Sequence, residues 1–328
     1  MRVLVTGGAG FIGSRVCEKL LAAGHGVCVF DRFASYFPER SEGCFWSARL
    51  ARMAERSQES GASLHVVSGD TRHASEVFRT ILEFDPDRIL HLAAVSGAVP
   101  AGKHATEAVG SAVDGTLALL EAVRDNGIDR FVYVSSSMVY GDFQDGAVSE
   151  DHPTRPVDVY GASKLAGEVV TKGYCKHFQI SWVVVRPSAV YGSGDSNYRV
   201  VQVFVERARA GETLVLRGGD SVKLDFTYVD DIADGLMLAL TEQNALYGTF
   251  NMTRGQGRSL GELCRILRRY FPELTVREDP PRKNTPIRGT LDCSKARDLL
   301  GFSPRFSLED GIAAYLEQEG AVDAGSAV

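Results

Sequence analysis

The sequence lacks the features of a membrane protein, a disulfide-stabilised protein and a metalloprotein. No stretch approaches the roughly 20 consecutive apolar residues that cross a bilayer, and the apolar start runs directly into a glycine-rich turn instead of a signal-peptide cleavage site. The six cysteines are scattered, with neither a C-x-x-C pair nor histidines at metal-ligand spacing. These absences predict a cytoplasmic protein with free thiols, no metal site and no membrane partner.

Positive charge is also scarce. The 36 lysines and arginines are outnumbered by 42 aspartates and glutamates, which leaves a net charge of −6. Nucleic-acid binding needs a surface of clustered cations, so this balance argues against a nucleic-acid partner. The 44% of hydrophobic residues is ordinary for a folded globular protein, and 328 residues are enough for a large domain and a smaller lobe.

Short apolar runs alternate with amphipathic helical stretches along the first half of the chain. This alternation is typical of an α/β protein in which helices cover both faces of a parallel sheet, and continuous apolar character suits strands buried on both sides. We predict a doubly wound Rossmann sheet with a smaller C-terminal substrate-binding lobe. The predicted strands are Arg2–Thr6, Val27–Phe30, Leu64–Val67, Arg88–Leu92, Phe131–Val134 and Ser181–Val185. The predicted helices are Phe11–Ala23, His73–Glu83, Thr106–Asp125 and Val159–Lys176.

A glycine-rich turn follows the first predicted strand and opens the first predicted helix. Its sequence, TGGAGFIG over residues 6–13, has glycines where a dinucleotide-binding turn needs a tight bend, close approach to a pyrophosphate and close helix packing. The helix N-terminus presents free N–H groups to the phosphates. We therefore predict cofactor contacts from Gly7, Gly10, Phe11, Ile12 and Gly13.

The ends of the next strands carry the residues expected around the rest of the cofactor. Asp31 is positioned to accept hydrogen bonds from the adenosine ribose and to repel a 2′-phosphate, which favours NAD over NADP. The adjacent Arg32 could accept that phosphate, so NADP stays an alternative. Asp70 fits a contact to the adenine amino group or is a simple turn residue, and His91 is predicted to be structural. Further cofactor contacts are predicted for Thr71, Leu92, Ala93, Ala94, Ser135, Tyr160, Lys164 and Pro187.

Tyr160 and Lys164 form a Y-x-x-x-K pair whose side chains lie one turn apart on one face of a predicted helix. An unperturbed tyrosine has a pKa near ~10, and a lysine ammonium together with a positively charged nicotinamide would lower it. Lys164 could also hold the nicotinamide ribose. Ser136, at the end of the fifth predicted strand, could relay a proton between Tyr160 and a substrate hydroxyl. A surface helix pair and ordinary turn serines are the alternatives, but the order of these motifs along the chain favours catalysis.

The composition divides the chain into a first domain and a looser second half. We assign residues 1–190 to an NAD-binding Rossmann domain, to which residues 222–250 return, and residues 191–318 mainly to the substrate-binding lobe. Residues 319–328 are small and polar and are predicted to be a frayed tail. The long connection between the second and third strands contains apolar residues at near-helical spacing, which predicts an extra helix over Cys44–Arg56.

With these motifs the sequence resembles the extended short-chain dehydrogenases/reductases, in particular the NAD-dependent nucleotide-sugar epimerase/dehydratase family and its members similar to UDP-glucose 4-epimerase. The resemblance implies bound NAD, a nucleotide-diphosphate sugar substrate, and a homodimer paired through the helices at 106–125 and 159–176. It also implies that Tyr160 removes a proton from a sugar hydroxyl while C4 of NAD accepts the hydride. The motifs that carry it are TGGAGFIG, SSSMVYG at 135–141, YGASK at 160–164, RPSAVYG at 186–192, DFTYVDD at 225–231 and DCSKARDLLG at 292–301.

Members of this family differ in the step after the first oxidation. The 4,6-dehydratases carry an Asp-Glu pair after the catalytic Thr, and UDP-glucuronate decarboxylases carry a Glu at the second of these positions. The matching residues here are Ser137 and Met138, which disfavours both reactions. We therefore expect a 4-epimerase, which oxidises the sugar to a 4-keto sugar and returns the hydride to the opposite face. The alternatives are a nucleotide-sugar dehydrogenase that releases the keto sugar and NADH, and a non-catalytic NAD-binding regulator.

Several positions depart from the family pattern. Ala112, Ala189 and Leu224 stand where relatives often carry Asn, Asn and Arg, so usual contacts to the activated sugar are missing. Arg282 and Arg288 are candidates for a diphosphate clamp, because a guanidinium matches phosphate geometry, although each could be a surface arginine. The other predicted substrate positions are Ser96, Ser136, Ser137, Met138, Tyr160 and Ala189.

Overall fold

A computed structural model of the chain describes residues 1–37, 45–143, 146–281 and 285–320. The strands in these residues are β1 (Arg2–Thr6), β2 (Gly26–Asp31), β3 (Leu64–Ser68), β4 (Arg88–His91), β5 (Arg130–Val134), β6 (Trp182–Pro187), β7 (Val190–Tyr191), β8 (Leu214–Arg217), β9 (Lys223–Asp225), β10 (Thr227–Tyr228), β11 (Gly248–Met252), β12 (Gly257–Ser259) and β13 (Val276–Asp279). The α-helices are α1 (Phe11–Ala22), α2 (Phe45–Ser60), α3 (Ala74–Phe84), α4 (Ala98–Lys103), α5 (Ala105–Asn126), α6 (Val159–Phe178), α7 (Val200–Arg209), α8 (Val229–Thr241), α9 (Leu260–Arg268), α10 (Ser294–Leu300) and α11 (Leu308–Gln318).

A parallel sheet of seven strands forms the centre of the fold, in the order β11-β6-β5-β4-β1-β2-β3. Every pairing in it is parallel, and β1 lies between β2 and β4, so that Thr6 is opposite both Phe30 and His91. The inner strands are buried on both faces because their apolar runs are covered by helices on each side. The predicted doubly wound α/β fold is confirmed, and the carboxyl ends of these strands meet at one edge.

The structure differs from the sequence prediction mainly at the borders of the sheet. β11 was not predicted as a strand, because the polar Asn251 interrupts its apolar pattern. The Asn251 side chain is nevertheless buried, and it accepts a hydrogen bond from the Tyr140 hydroxyl at 2.7 Å. At the other border, β3 is an edge strand with Val66 45% exposed, not a strand covered on both faces. The extra helix in the long connection is present as α2, although Cys44 lies outside the described residues.

The second half of the chain adds a smaller layer beside the sheet. It contains the two-stranded pairs β8–β13, β9–β12 and β7–β10, with α7, α9 and α11 packed into one continuous apolar core with the main domain. No helix in the described parts of the chain combines the length and apolar composition that a bilayer crossing requires. The division near residue 190 stays a prediction, as does the frayed tail, of which residues 321–328 lie outside the described residues.

A buried ion pair fastens α6 to the sheet. Both side chains are almost inaccessible to solvent, and Arg186 Nε and Nη2 donate to the two oxygens of the Glu168 carboxylate at 2.8 and 2.7 Å. Arg186 Nη1 also donates to the Tyr140 hydroxyl at 2.9 Å. Although burial raises the pKa of Glu168, these guanidinium contacts hold it below its ordinary value. The pair therefore joins α6, β6 and the 3-10 turn at Ser137–Tyr140.

We predict that Glu168→Gln will lower the free energy of unfolding by about 3–5 kcal/mol, because it leaves the buried Arg186 charge without a counter-ion. Lys172→Met is the control, since Lys172 reaches the same carboxylate at 3.3 Å from a partly exposed position and should cost less than about 1 kcal/mol. Urea denaturation of the three proteins measures both effects. Equal stability of the two variants would contradict the proposed role of this pair.

Candidate active site

The glycine turn between β1 and α1 is too tightly packed for side chains. Gly7 has a φ of +70°, and a Cβ there would lie 2.9 Å from the backbone nitrogen of Ala93. A Cβ on Gly13 would lie 2.2 Å from the Gly7 carbonyl oxygen. Helix α1 begins after Gly10 without a side-chain cap, so its first N–H groups stay available to a phosphate. The turn thus fits the close approach of a dinucleotide pyrophosphate.

A cavity opens at this turn, at the carboxyl edge of the sheet. Ser135, Pro187, Tyr160 and Lys164 are not part of its lining; the first two lie at the ends of β5 and β6, and the other two lie on α6. The predicted cofactor positions that line the cavity are Gly7, Gly10, Phe11, Ile12, Gly13, Asp31, Arg32, Asp70, Thr71, Leu92, Ala93 and Ala94.

The end of β2 forms an acidic corner of this cavity. Asp31 accepts hydrogen bonds from the backbone N–H groups of Ala9 at 3.0 Å and Phe33 at 2.9 Å, and burial raises its pKa. The neighbouring Arg32 forms an ion pair with Glu107 and donates to the Tyr36 hydroxyl at 2.6 Å. Glu107, which was not predicted as a site residue, thus neutralises the arginine that could have received a 2′-phosphate. No motif marks Glu107; it is an ordinary helix-start glutamate in sequence.

Asp70 also lines the cavity but is held by local contacts. The Asp70 carboxylate accepts hydrogen bonds from Arg72 Nη2 at 2.6 Å and from the Arg72 backbone N–H at 3.0 Å. The side-chain hydrogen bond from Arg72 lowers the pKa of Asp70. These contacts are those of a turn aspartate, and the adenine contact remains a prediction. His91 is enclosed between the Thr6 and Thr116 hydroxyls, at 2.7 and 3.2 Å, and burial lowers its pKa to about 3. It is therefore a neutral structural histidine.

Tyr160, Lys164 and Ser136 meet where α6 passes the end of β5. Lys164 is buried, and its Nζ donates to the Val134 carbonyl at 2.8 Å. The Ser136 hydroxyl caps the 3-10 turn by accepting a hydrogen bond from the Met138 N–H at 3.2 Å. Burial lowers the pKa of Lys164 to about 8, against an opposing effect of the acidic side chain one turn further along α6. At neutral pH Lys164 is therefore still mainly an ammonium.

The pKa of Tyr160 is governed by burial and by nearby charges. Burial raises the pKa of Tyr160, and the opposing influences are the guanidinium groups of Arg199 and Arg288 and a hydrogen bond with Ser136. The predicted lowering of this pKa by Lys164 together with a positively charged nicotinamide stays a prediction. Among the chain's own groups burial outweighs the charges, and the Lys164 ammonium donates to the Val134 carbonyl. Among the chain's own groups, two arginines from the second half of the chain contribute positive charge at Tyr160.

Arg288 lies against the residues that follow Ser136. Its Nη2 donates to the hydroxyls of Ser137 and Ser188, both at 2.7 Å, and its Nη1 contacts the Met138 Sδ. Burial lowers the pKa of Arg288 to about 10, so it remains a cation at neutral pH. Arg288 thus lies inside the site, whereas the other predicted clamp residue, Arg282, lies outside the described residues.

Ala189 is in a backbone conformation that its side chain does not favour. Its φ is +38°, a region in which asparagine is several-fold enriched among non-glycine residues. The alanine therefore changes the chemistry of this position without changing a backbone turn that suits asparagine. The site accordingly lacks an amide side chain at this predicted substrate position.

Arg199 is a site residue that was not predicted. Its Nη2 donates to the hydroxyl of Ser96, a predicted substrate position, at 3.1 Å, and its guanidinium lies 5.5 Å from the centre of the Phe11 ring. Asp195 forms an ion pair with it at 3.5 Å. Only its place just after a glycine-containing loop could have drawn attention to it. Within the described residues, no group of three or more His, Cys, Asp or Glu side chains is arranged to hold a metal ion.

Comparisons with known proteins agree with this geometry. The sequence model of the NAD dependent epimerase/dehydratase family matches residues 3–252. The chain is 33% identical over 323 residues to the UDP-glucose 4-epimerase of Mycolicibacterium smegmatis, covering 97% of this chain and 98% of that protein. It is similar to UDP-glucuronic acid 4-epimerase from Bacillus cereus in complex with UDP-glucuronic acid and NAD, with a TM-score of 0.87, 30% identity and 97% and 98% of the two chains covered. It is also similar to dTDP-glucose 4,6-dehydratase from Streptomyces venezuelae with NAD bound, with a TM-score of 0.85, 29% identity and 97% and 96% covered.

The acidic corner predicts the cofactor preference of the cavity. A 2′-phosphate would meet Asp31 and an Arg32 already paired with Glu107, so NADH should bind at least about tenfold tighter than NADPH, a difference of about 1.4 kcal/mol. Asp31→Ala should reduce the difference in affinity between NADH and NADPH. Asp85→Ala, at an exposed position, should leave this difference unchanged. Fluorescence titration with both nucleotides measures the ratio. Equal affinities in the unmodified protein would mean that Arg32 governs this corner.

Proposed function

The chain belongs to the NAD dependent epimerase/dehydratase family, and from this premise we propose that it is a nucleotide-sugar 4-epimerase. Its cofactor is NAD, and the family resemblance makes it an enzyme that acts on nucleotide sugars. The relatives include both epimerases and a 4,6-dehydratase, so the residues next to the catalytic serine must decide between the two reactions.

The observation that carries the proposal is the pair Ser137 and Met138. Elimination of water from a keto sugar needs a further proton donor and acceptor beside Tyr160. A serine hydroxyl bonded to Arg288 and a thioether against the same guanidinium offer neither. With dehydration unsupported at these positions, oxidation followed by return of the hydride is the reaction that the remaining groups support best.

The chain's own residues provide the proton chemistry. Bound NAD supplies a hydride acceptor. Tyr160 takes the proton from the sugar hydroxyl, and Ser136 relays it between the two oxygens. The guanidinium groups of Arg199 and Arg288 favour the phenolate against the effect of burial. Lys164, fixed by its hydrogen bond to Val134, has an ammonium available for the nicotinamide ribose.

We assign Arg288 to the diphosphate or sugar end of the substrate. Asp225 anchors the segment that carries Arg288, because its carboxylate accepts a hydrogen bond from the Leu291 N–H at 3.0 Å. Ser96, which receives a hydrogen bond from Arg199, belongs to the same proposed substrate surface. Ala189 and Leu224 contribute no donor, which makes this arginine more important than it would be beside Asn and Arg.

Tyr160→Phe should lower turnover by about 10²–10⁴-fold, because it removes the group that transfers the proton and keeps the ring. The bound NAD content should be unchanged. Tyr174→Phe is the matched control on α6, where the hydroxyl accepts a hydrogen bond from Arg124 outside the site, and it should keep full activity.

Activity is measured by NMR of the anomeric region with a panel of UDP- and dTDP-sugars. A 4-epimer formed without net NADH supports the proposal, whereas stoichiometric NADH would indicate the dehydrogenase. Near-normal turnover in Tyr160→Phe would show that the proton is transferred by another residue.

We also infer that the enzyme is a homodimer and acts in the cytoplasm. On α5 and α6, Val109 is 45% exposed and Val169 is 63% exposed, which leaves apolar surface on the two helices through which relatives of this family are expected to pair. The five cysteines in the described residues are free thiols, as a reducing compartment requires.

The dimer can be tested with one charge. Val169→Lys would place an ammonium in the proposed α5–α6 interface and should convert the dimer to a monomer at micromolar concentration, because a buried unpaired charge is costly. Leu82→Lys, at a similarly exposed position on α3, should leave the mass unchanged. Light scattering gives the masses directly. A monomer mass for the unmodified protein would contradict the proposed dimer.

A further inference from the structure

The long connection between β2 and β3 contributes a buried cation that the proposed reaction does not use. Arg49 of α2 is 4% exposed. Its Nη1 donates to the Ala9 carbonyl at 2.8 Å, and its Nη2 donates to the Gly194 carbonyl at 2.6 Å. Ala9 belongs to the glycine turn, and Gly194 belongs to segment 193–199 in the second half of the chain. One guanidinium therefore bridges two loops that are far apart in sequence.

The surroundings of Arg49 keep it charged. Burial lowers its pKa to about 10, while Asp195 and Asp31 act in the opposite direction. Asp195 is itself buried and forms the ion pair with Arg199. Charges of alternating sign thus follow one another from Asp31 through Arg49 and Asp195 to Arg199. Loss of any one of these charges would leave a neighbouring buried charge unpaired, which is costly.

Segment 193–199 lies beside the glycine turn at the border of the cavity, which Arg49 also lines. Ser196, Asn197 and Arg199 line the cavity together with the turn. The Tyr198 ring lies 4.7 Å from Phe37, which follows β2, so the segment and the start of the long connection also touch at the outer rim. The cofactor cavity is therefore bordered by two loops that Arg49 holds together.

We propose that Arg49 is a positioning residue that fastens segment 193–199 to the glycine turn and so slows the release of NAD. An epimerase that returns its hydride has use for a cofactor that stays bound between turnovers. Retention of NAD does not depend on which sugar the enzyme converts, so its failure and the failure of the proposed epimerisation are distinguishable.

Dissociation of the cofactor from the full-length protein tests the proposal. The protein is loaded with NADH and mixed with excess NAD, and the loss of bound NADH fluorescence gives the release rate without any sugar present. Arg49→Met should release NADH at least about tenfold faster, the effect of losing one charge-assisted hydrogen bond. Arg49→Lys retains the charge and can reach one carbonyl. Its NADH release rate should therefore lie between those of the unmodified protein and Arg49→Met.

Arg130→Met is the matched control. Arg130 is also buried and donates to two backbone carbonyls, those of Ala239 and Glu242 at 3.0 and 2.9 Å, but at the start of β5, away from the cavity. It should lower thermal stability and leave the release rate at the unmodified value. Equal acceleration in both variants, or a folded Arg49→Met with unmodified release, would overturn the proposal.

A second variant covers the case in which Arg49→Met does not fold. Phe37→Ala removes the contact with Tyr198 at the rim and leaves the buried bridge intact. It should also accelerate release, by a smaller factor than the loss of Arg49. Unmodified release in Phe37→Ala, with Arg49→Met unfolded, would overturn the proposal as well, because the segment would then not limit the exit of the cofactor.

Discussion

The bidentate pair between Glu168 and Arg186 is the interaction on which the geometry of the site depends. Two desolvated charges are stable only in good geometry with further hydrogen bonds, and the Tyr140 hydroxyl supplies one by linking Arg186 to Asn251 of β11. The pair sets the position of α6 against β6, and α6 carries Tyr160 and Lys164. Because Tyr140 closes the turn that begins after Ser136, the serine and the tyrosine are positioned by one network.

The electrostatics of the site follow from burial more than from the Y-x-x-x-K pair. Burial moves the pKa of Tyr160 up and that of Lys164 down to about 8, so both groups lose part of their charged form. Arginine side chains oppose the effect of burial on Tyr160. A guanidinium is suited to this because it keeps its charge after desolvation better than an ammonium does. The charges of Arg199 and Arg288, from the second half of the chain, accordingly oppose the effect of burial on Tyr160.

Local signals in the sequence predicted the local parts of the site. The tight turn at Gly7 and Gly13 and the helical spacing of Tyr160 and Lys164 depend on neighbouring residues, and the structure has both. Strand β11 was missed because its buried Asn251 is satisfied by contacts from distant segments. Glu107, Arg49 and Arg199 have no motif at all; each acquires its partners only when loops far apart in sequence meet.

Contacts between distant segments also explain how the site can tolerate its departures from the family pattern. Leu224 cannot bind a phosphate, but the next residue, Asp225, is buried and accepts hydrogen bonds from the N–H groups of Leu291 and Gly255. Burial raises the pKa of Asp225 to about 6, so at neutral pH it is a carboxylate that needs these donors. The strand that carries Leu224 therefore anchors the segment that carries Arg288. The anchored guanidinium of Arg288 is therefore the cation that we propose for a substrate phosphate, and it lies on a segment bonded to this strand and not on the strand itself.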